Sequence, residues 1–479
     1  MEREKATVLR EHRPAFAAAV IAGATRLGVA GPVAAADGSG RGERGGIERV
    51  AVEPGKIEHI VVVDLENEEF GFTFGAGSPA RYLNDVLVPQ GQLVENYYVT
   101  SHASMGNYVS QISGQASTQA QNNDCIDLST LVPPFASIKG SFTNATPATQ
   151  TVDGQVVGDG CVLPWSVKTI ADQLDAKYGA DDRDDTRSHL PWRAYAEDMG
   201  NIPSRDYGTP DQTGGTTCAH PPIDGPDFSN SAVAGDGYAT RHNPFMYFHS
   251  IIDDQARCNE RVVPLGNVTV GAAGAKDTFT GHLAQDLQRK ETTPAFSFII
   301  PDLCNDGHDA RCRPTVVGGS ATDIEDGTAG GLAAAHIWLK HWMPMVMASP
   351  AYQSGEMLIV VTLDEGSTSI ACCGQPSGPN QNGNPGYAPL LSLFGTPKPT
   401  APGQFPQGGK VGAVLLNKKY IVAGSHNTTG QYNHYSALRS YDDLLGLTTG
   451  GTDGHGHLGY AGMAGLKPFG TDVFTRVDD

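Results

Sequence analysis

The sequence predicts an α/β protein with a mainly parallel central sheet and helices on both faces, and three observations lead there. Near-continuous apolar runs at 57–65, 295–300, 356–363 and 411–422 read as strands buried on both sides. Between them, segments 166–178, 330–347 and 436–447 repeat apolar residues at helical spacing, with Pro344 expected to break the second and Ser436 to cap the third. Segments 125–163, 205–243 and 374–409 are rich in Gly, Pro and polar residues and lack any period. They read as loop-rich insertions on one sheet, not as further domains.

Each strand run is too long and too apolar for a half-exposed edge, which is why both faces need covering. The 39% hydrophobic content, with 59 Gly and 31 Pro among 479 residues, fits a globular, loop-rich chain. The formal charge of -19, spread without a single acidic run, repels nucleic acid and anionic membranes at long range and sets nucleic-acid binding aside. Residues 1–50 read as a signal-like leader and spacer, with an A-x-A-like cut near Ala36 and a secreted product of one domain, 51–479. No later segment reaches about 18 apolar residues without charge, so no transmembrane helix is expected. Eight cysteines without a CxxC pair suit disulfides in an exported protein. Cys304 with Cys312 is the first pairing expected, and adjacent Cys372 and Cys373 are expected to reach different partners. Nothing in the sequence sets an oligomeric state.

The residues just past the strand runs carry the chemistry. The first run ends in Glu66 and Asn67, the second leads to Asp302, Asn305, Asp306 and His308, and the third ends in Asp364 and Glu365. At a single strand this would be an ordinary turn. In an open α/β sheet, however, the carboxyl ends of parallel strands form the ligand crevice, so three such ends gather their side chains at one edge. Clustered buried carboxylates repel one another unless a cation compensates them. Glu66, Asn67, Asp364 and Glu365 form a hard-ligand set for one or more divalent metal ions of unspecified identity, with His308 adding nitrogen.

The stretch "SHASMGNYVSQISG", residues 101–114, runs from small polar residues into a helix expected over 107–112. A Ser at that junction either caps the helix or serves as a nucleophile beside free N–H groups and a metal. Ser104 is the candidate, and Asn107, one turn on, is placed to donate its amide to a phosphoryl oxygen. The G-x-S-x-G elbow of serine acyl hydrolases is absent, which favours phosphoryl over acyl chemistry.

These residues resemble the bacterial and fungal phosphoesterase family that contains secreted acid phosphatases and phospholipases C. The resemblance is carried in order by "HIVVVDLENEEF", "SHASMGNYVSQISG", "YATRHNPFMYF", "FSFIIPDLCNDGHD", "IVVTLDEGS" and "YNHYSALRSYDDLLGL". It is closer to the acid-phosphatase branch and implies an alkaline-phosphatase-like core. It also implies Ser104 as nucleophile, Asn107 holding the phosphoryl group, and His102 supporting the nucleophile. His308 and His434 would then be ligands or proton donors, and Glu66, Asn67, Asp364 and Glu365 would hold metal. The implied substrate is a small phosphate ester or, in the alternative, a phospholipid headgroup; a non-catalytic binding protein on the same fold is a third reading. Ala103 and Gly106 stand where the family has proline, and Leu363 where it has tryptophan.

Other residues remain open on sequence alone. Asp302 and Asp306 are either metal ligands or turn aspartates. Asp64 either joins the metal set or faces a polar edge. Arg241 and His242 are candidates for a substrate anion, and His455 with His457 reads as structural.

Overall fold

The runs HIVVVDL and MLIVVTL are buried along their whole length and lie side by side at the centre of the sheet. Each buried Val, Leu or Ile contributes about 1.5–3 kcal/mol over exposure, which fixes these two strands in the middle. The computed structural model describes residues 47–126, 140–179, 190–272, 275–310, 312, 330–368, 370–380 and 408–477. The expected leader up to residue 46, and the insertion segments 127–139 and 381–407, lie outside the described residues.

The sheet strands are β1 His59–Leu65, β2 Gln92–Val94, β3 Trp192–Ala196, β4 Val262–Pro264, β5 Phe296–Ile300, β6 Met357–Leu363, β7 Ala413–Leu416 and β8 Ser425–Asn427. Their order is β4-β3-β5-β1-β6-β7-β2-β8. The sheet is mixed, because β7 runs antiparallel to β6 and to β2 while the other neighbours pair in parallel. The register sets Leu65 opposite Leu363, so β1 and β6 end level with each other.

The run at 411–422 is expected as one strand, but β7 stops at Leu416. Asn417 ends it: its side-chain oxygen accepts from the Lys419 and Tyr420 N–H groups, while its amide donates to the Gly355 and Met357 carbonyls. A short side chain that satisfies nearby backbone in this way favours a turn over a ladder.

The principal helices are α1 Ser104–Ser113, α2 Ile170–Tyr178, α3 Gly331–Ala348 and α4 His434–Leu445. α2 opens with a capping box between Thr169 and Asp172. α3 continues through Pro344 instead of breaking there. Pro344 is exposed, and so is Lys340, whose carbonyl loses its partner one turn back; water can satisfy it. α4 starts two residues before the expected cap. Asn433, not Ser436, is the cap, its side-chain oxygen accepting from the Ser436 N–H. α1 packs against α2 and α4.

Four disulfides join Cys125–Cys161, Cys218–Cys258, Cys304–Cys312 and Cys372–Cys373. The first expected pairing is present. Cys372 and Cys373 bond to each other, contrary to expectation, because the other six cysteines pair among themselves. Residues Ile47–Arg49 form a two-stranded ribbon with Thr475–Val477. Among the described residues, no helix is long and apolar enough to cross a membrane.

Candidate active site

Three strand ends meet at one edge of the sheet, tied by their own backbone. The Asp364 N–H donates to the Leu65 carbonyl at 2.9 Å, and the Glu66 N–H to the Asp306 carbonyl at 2.8 Å. Glu66, Asp306 and Asp364 are each almost fully buried there. Burial pushes the Asp364 carboxyl well above the usual carboxylate range, and Glu66, Asp64 and Glu365 add repulsion. Asp306 is raised likewise by burial and then by Asp309 and Glu66. Burial is the largest single influence on Glu66 and works in the same sense, but His242 and Arg241 together hold this carboxyl below its ordinary value.

α1 delivers Ser104 to this crowd. All ten of its residues are buried, and its polar side chains are bonded in turn. Ser110 Oγ lies 2.6 Å from Thr100 Oγ1, Ser113 donates to the Val109 carbonyl, and Gln111 donates to Asp64 inside β1. The residue before the helix, Ala103, has no side chain to cap it. Ser104 is therefore the first helical residue and not the cap, and its hydroxyl donates to Glu66 Oε2 at 3.0 Å. Gly106 is the third helical residue, and a Cβ there would stand 2.3 Å from Ser117 Oγ and 2.6 Å from Ser101 Oγ.

Asn107 braces the approach to Ser104. Its side-chain oxygen accepts from the N–H groups of Thr100 and Ser101, and its amide donates to the Ser101 and Ala103 carbonyls. His102 Nδ1 contacts Glu365 Oε1, turning that carboxylate toward the histidine. Asn67 donates to Glu66 Oε2 at 3.0 Å and lies 3.4 Å from His308 Nδ1. His308 is half exposed, and its bond to Asp309 raises its pKa to about 9. His434 is fully buried. Its Nε2 donates to the Asp364 carbonyl at 3.2 Å and its Nδ1 accepts from the Tyr97 hydroxyl at 3.1 Å. Burial lowers its pKa to about 3 and leaves the ring neutral. Asp302 turns its Oδ1 to the Cys304 and Asn305 N–H groups, as a turn aspartate does. Asp306 Oδ1 accepts from His308 and Asp309, while its Oδ2 is buried without a hydrogen-bond partner.

The structure brings in two residues from outside the expected ligand set. His242 Nε2 lies 2.9 Å from Glu66 Oε1 and 3.5 Å from Asp309 Oδ2. Glu66, His242 and Asp309 each offer a ligand atom within 4.8 Å of the others, a possible site for a divalent metal. Neither Glu66 Oε1 nor His242 Nε2 has a hydrogen-bond partner despite their closeness, and both Asp364 oxygens are also buried and unpartnered. Buried carboxylate oxygens and an imidazole nitrogen that meet without hydrogen-bond geometry fit a cation between them. The signal for His242 is its place in "RHNPF". Asp309, in "DGHD", gives none of its own.

Arg241 is the compensating cation. It donates to Asp309 at 2.5 Å, and Asp309 is held far below its ordinary value against burial by Arg241, His308 and His242.

Comparison with known proteins finds fungal acid phosphatases. The phosphate-repressible acid phosphatase of Penicillium chrysogenum is 23% identical over 316 residues, covering 65% of this chain and 49% of that protein. An acid phosphatase of Aspergillus fumigatus is 22% identical over 282 residues, covering 59% of this chain and 40% of that protein. The chain thus spans half or less of the length of these curated relatives. No family model matches the sequence. Among solved structures, an alkaline phosphatase superfamily protein from Vibrio parahaemolyticus aligns with a TM-score of 0.39 at 11% identity, covering 86% of this chain and 72% of that one. The lipoteichoic acid synthase LtaP of Listeria monocytogenes aligns at 0.39 and 9% identity, covering 88% and 77%. The acid-phosphatase relatives agree with the resemblance that the motif order carries.

Proposed function

We propose that the protein is a secreted, metal-dependent phosphatase that hydrolyses phosphate monoesters through a phosphoserine intermediate, with 51–479 as its single catalytic domain on a mainly parallel, alkaline-phosphatase-like core. One observation carries the reading: the Ser104 hydroxyl, at the first residue of a buried helix, donates at 3.0 Å to Glu66 amid unpartnered carboxylates. A surface made only for binding does not need a nucleophile pressed against a cation site.

In this reading the Ser104 oxygen attacks phosphorus in line, and its proton has an acceptor in Glu66. Asn107 keeps the 100–103 segment in place so that the hydroxyl is presented at a fixed angle. His308, half exposed and with a raised pKa, protonates the leaving oxygen; His434, neutral and enclosed, holds the Asp364 backbone instead. Water then hydrolyses the phosphoserine. A divalent cation held by Glu66, His242 and Asp309, with Asp364 beside them, would supply the positive charge that these carboxylates lack and polarise the phosphoryl group. Asn67 and Glu365 sit at its margin through Glu66 and His102.

Purified protein assayed with p-nitrophenyl phosphate and phosphatidylcholine, with metal analysis of the same sample, tests this. Turnover of the monoester that disappears in Ser104→Ala supports it. Preference for phosphatidylcholine would select a phospholipase C, and an inert protein that binds a divalent metal would select a binding role.

A further inference from the structure

The helix that presents Ser104 has a second unusual feature at its start. The Met105 N–H, next to the nucleophile, is one of the free donors at the positive end of a ten-residue helix. It is met by Asp124, whose Oδ1 accepts from it at 2.9 Å. That carboxylate arrives from nineteen residues further along the chain, on a turn whose Asp124 and Cys125 both have φ of 52°. The Cys125–Cys161 disulfide anchors the turn.

Arg241 faces the same carboxylate. Its Nη atoms are engaged with Asp309 and the Asn230 carbonyl, but its Nε is buried with no hydrogen-bond partner. This Nε lies 3.9 Å from Asp124 Oδ2, too far for a hydrogen bond. The carboxylate thus meets the two donors unequally: Oδ1 accepts from the Met105 N–H, while Oδ2 stands off Arg241 Nε as a loose ion pair. A phosphoryl group, with three terminal oxygens, carries an acceptor for each donor.

We propose that Asp124 is a specificity-determining residue: it occupies the anion cradle formed by the Met105 N–H and Arg241 Nε, and it yields that place to the phosphoryl group of the substrate. This rests on the phosphatase reading for the identity of the incoming anion. Because Asp124 carries charge of the same sign, it disfavours dianionic groups until it swings out or takes up a proton. Its side chain is 15% exposed, so it is reached by solvent on one side. The charged groups around it are Arg241, Glu365 and Glu66. Burial pushes its carboxyl up to about 7 against the pull of Arg241 and the Met105 N–H, with the two glutamates adding to the rise.

Isothermal titration of inorganic phosphate into the wild-type protein and Asp124→Asn at pH 7.5 tests the proposal, with p-nitrophenyl phosphate turnover and thermal melting followed in parallel. Asn keeps the hydrogen bond to Met105 and removes the charge. Binding tighter by about tenfold or more in D124N supports the cradle, given the strength of one like charge at this range. A phosphate Kd and a KM within about twofold of wild type would overturn it and leave Asp124 a helix cap. In that case Asp124→Ala lowers the melting temperature without altering phosphate affinity. If D124N binds phosphate more tightly but neither protein turns over the ester, the cradle stands and the phosphatase reading fails.

Discussion

Helices α1 and α4 lie against each other and leave neighbouring strands of one short ribbon, Tyr97–Tyr98 paired in parallel with Tyr432–Asn433. They begin in opposite ways. α4 is closed by its own Asn433, and its first residue, His434, has both ring nitrogens engaged. α1 is preceded by Ala103, which closes nothing, and its first residue, Ser104, points its hydroxyl into the carboxylate cluster. A helix start that caps itself serves the fold; one that does not leaves its N–H groups to an anion from elsewhere, here Asp124 on Met105. Two otherwise similar elements thus differ in their work, one holding the structure and one presenting Ser104, the proposed nucleophile.

Exchanging the first residue of each helix for alanine puts this contrast under the greatest strain. Ser104→Ala is expected to lower kcat on p-nitrophenyl phosphate by about a thousandfold or more while the urea midpoint stays near that of wild type. The reverse pattern is expected at α4. His434→Ala leaves the Tyr97 hydroxyl and Asp364 carbonyl unpaired, and urea unfolding is expected to show a loss of about 2–4 kcal/mol. Equal stability losses in both variants would mean that the two helix starts play the same structural part.

Asn433→Ala is a smaller change. It removes one cap and is expected to cost about 1 kcal/mol, read as a lower melting temperature with KM unchanged. The smallest effect concerns the far ends. His457 lies 2.9 Å from Asp443 on α4 and 2.7 Å from Asp453, on the loop that brings Tyr460 to the Gly114 carbonyl just past α1. Its bond to Asp443, and then that to Asp453, raise its pKa. The unfolded chain thus releases this proton at lower pH than the folded one. The stabilisation is complete below the ordinary histidine value and fades as pH rises through the raised one. His457→Gln is accordingly expected to lower the melting temperature at pH 6 and to make little difference at pH 9.

Where one stretch of chain holds the signal, the sequence carries it well. The buried strands and the acidic residues after them are legible because both lie within a few residues of each other. Boundaries decided by a single side chain are not: Asn417 cuts the last run short, and Asn433 takes the cap expected of Ser436. Contacts that only the folded chain creates are invisible in the sequence, among them Asp309 beside Glu66 and Asp124 on Met105. Glu365 looks like a ligand because of its neighbour Asp364, and nothing local shows that His102 claims it.

The crowding at Gly106 bears on how this segment can change over time. Proline cannot enter there while the hydroxyls of Ser101 and Ser117 keep their places, since its Cβ would collide with both. Those serines are also bonded to each other, and Ser101 to Asn122. A single exchange to proline at 106 in this chain therefore leads to a misfit unless the serines at 101 and 117 are replaced with it.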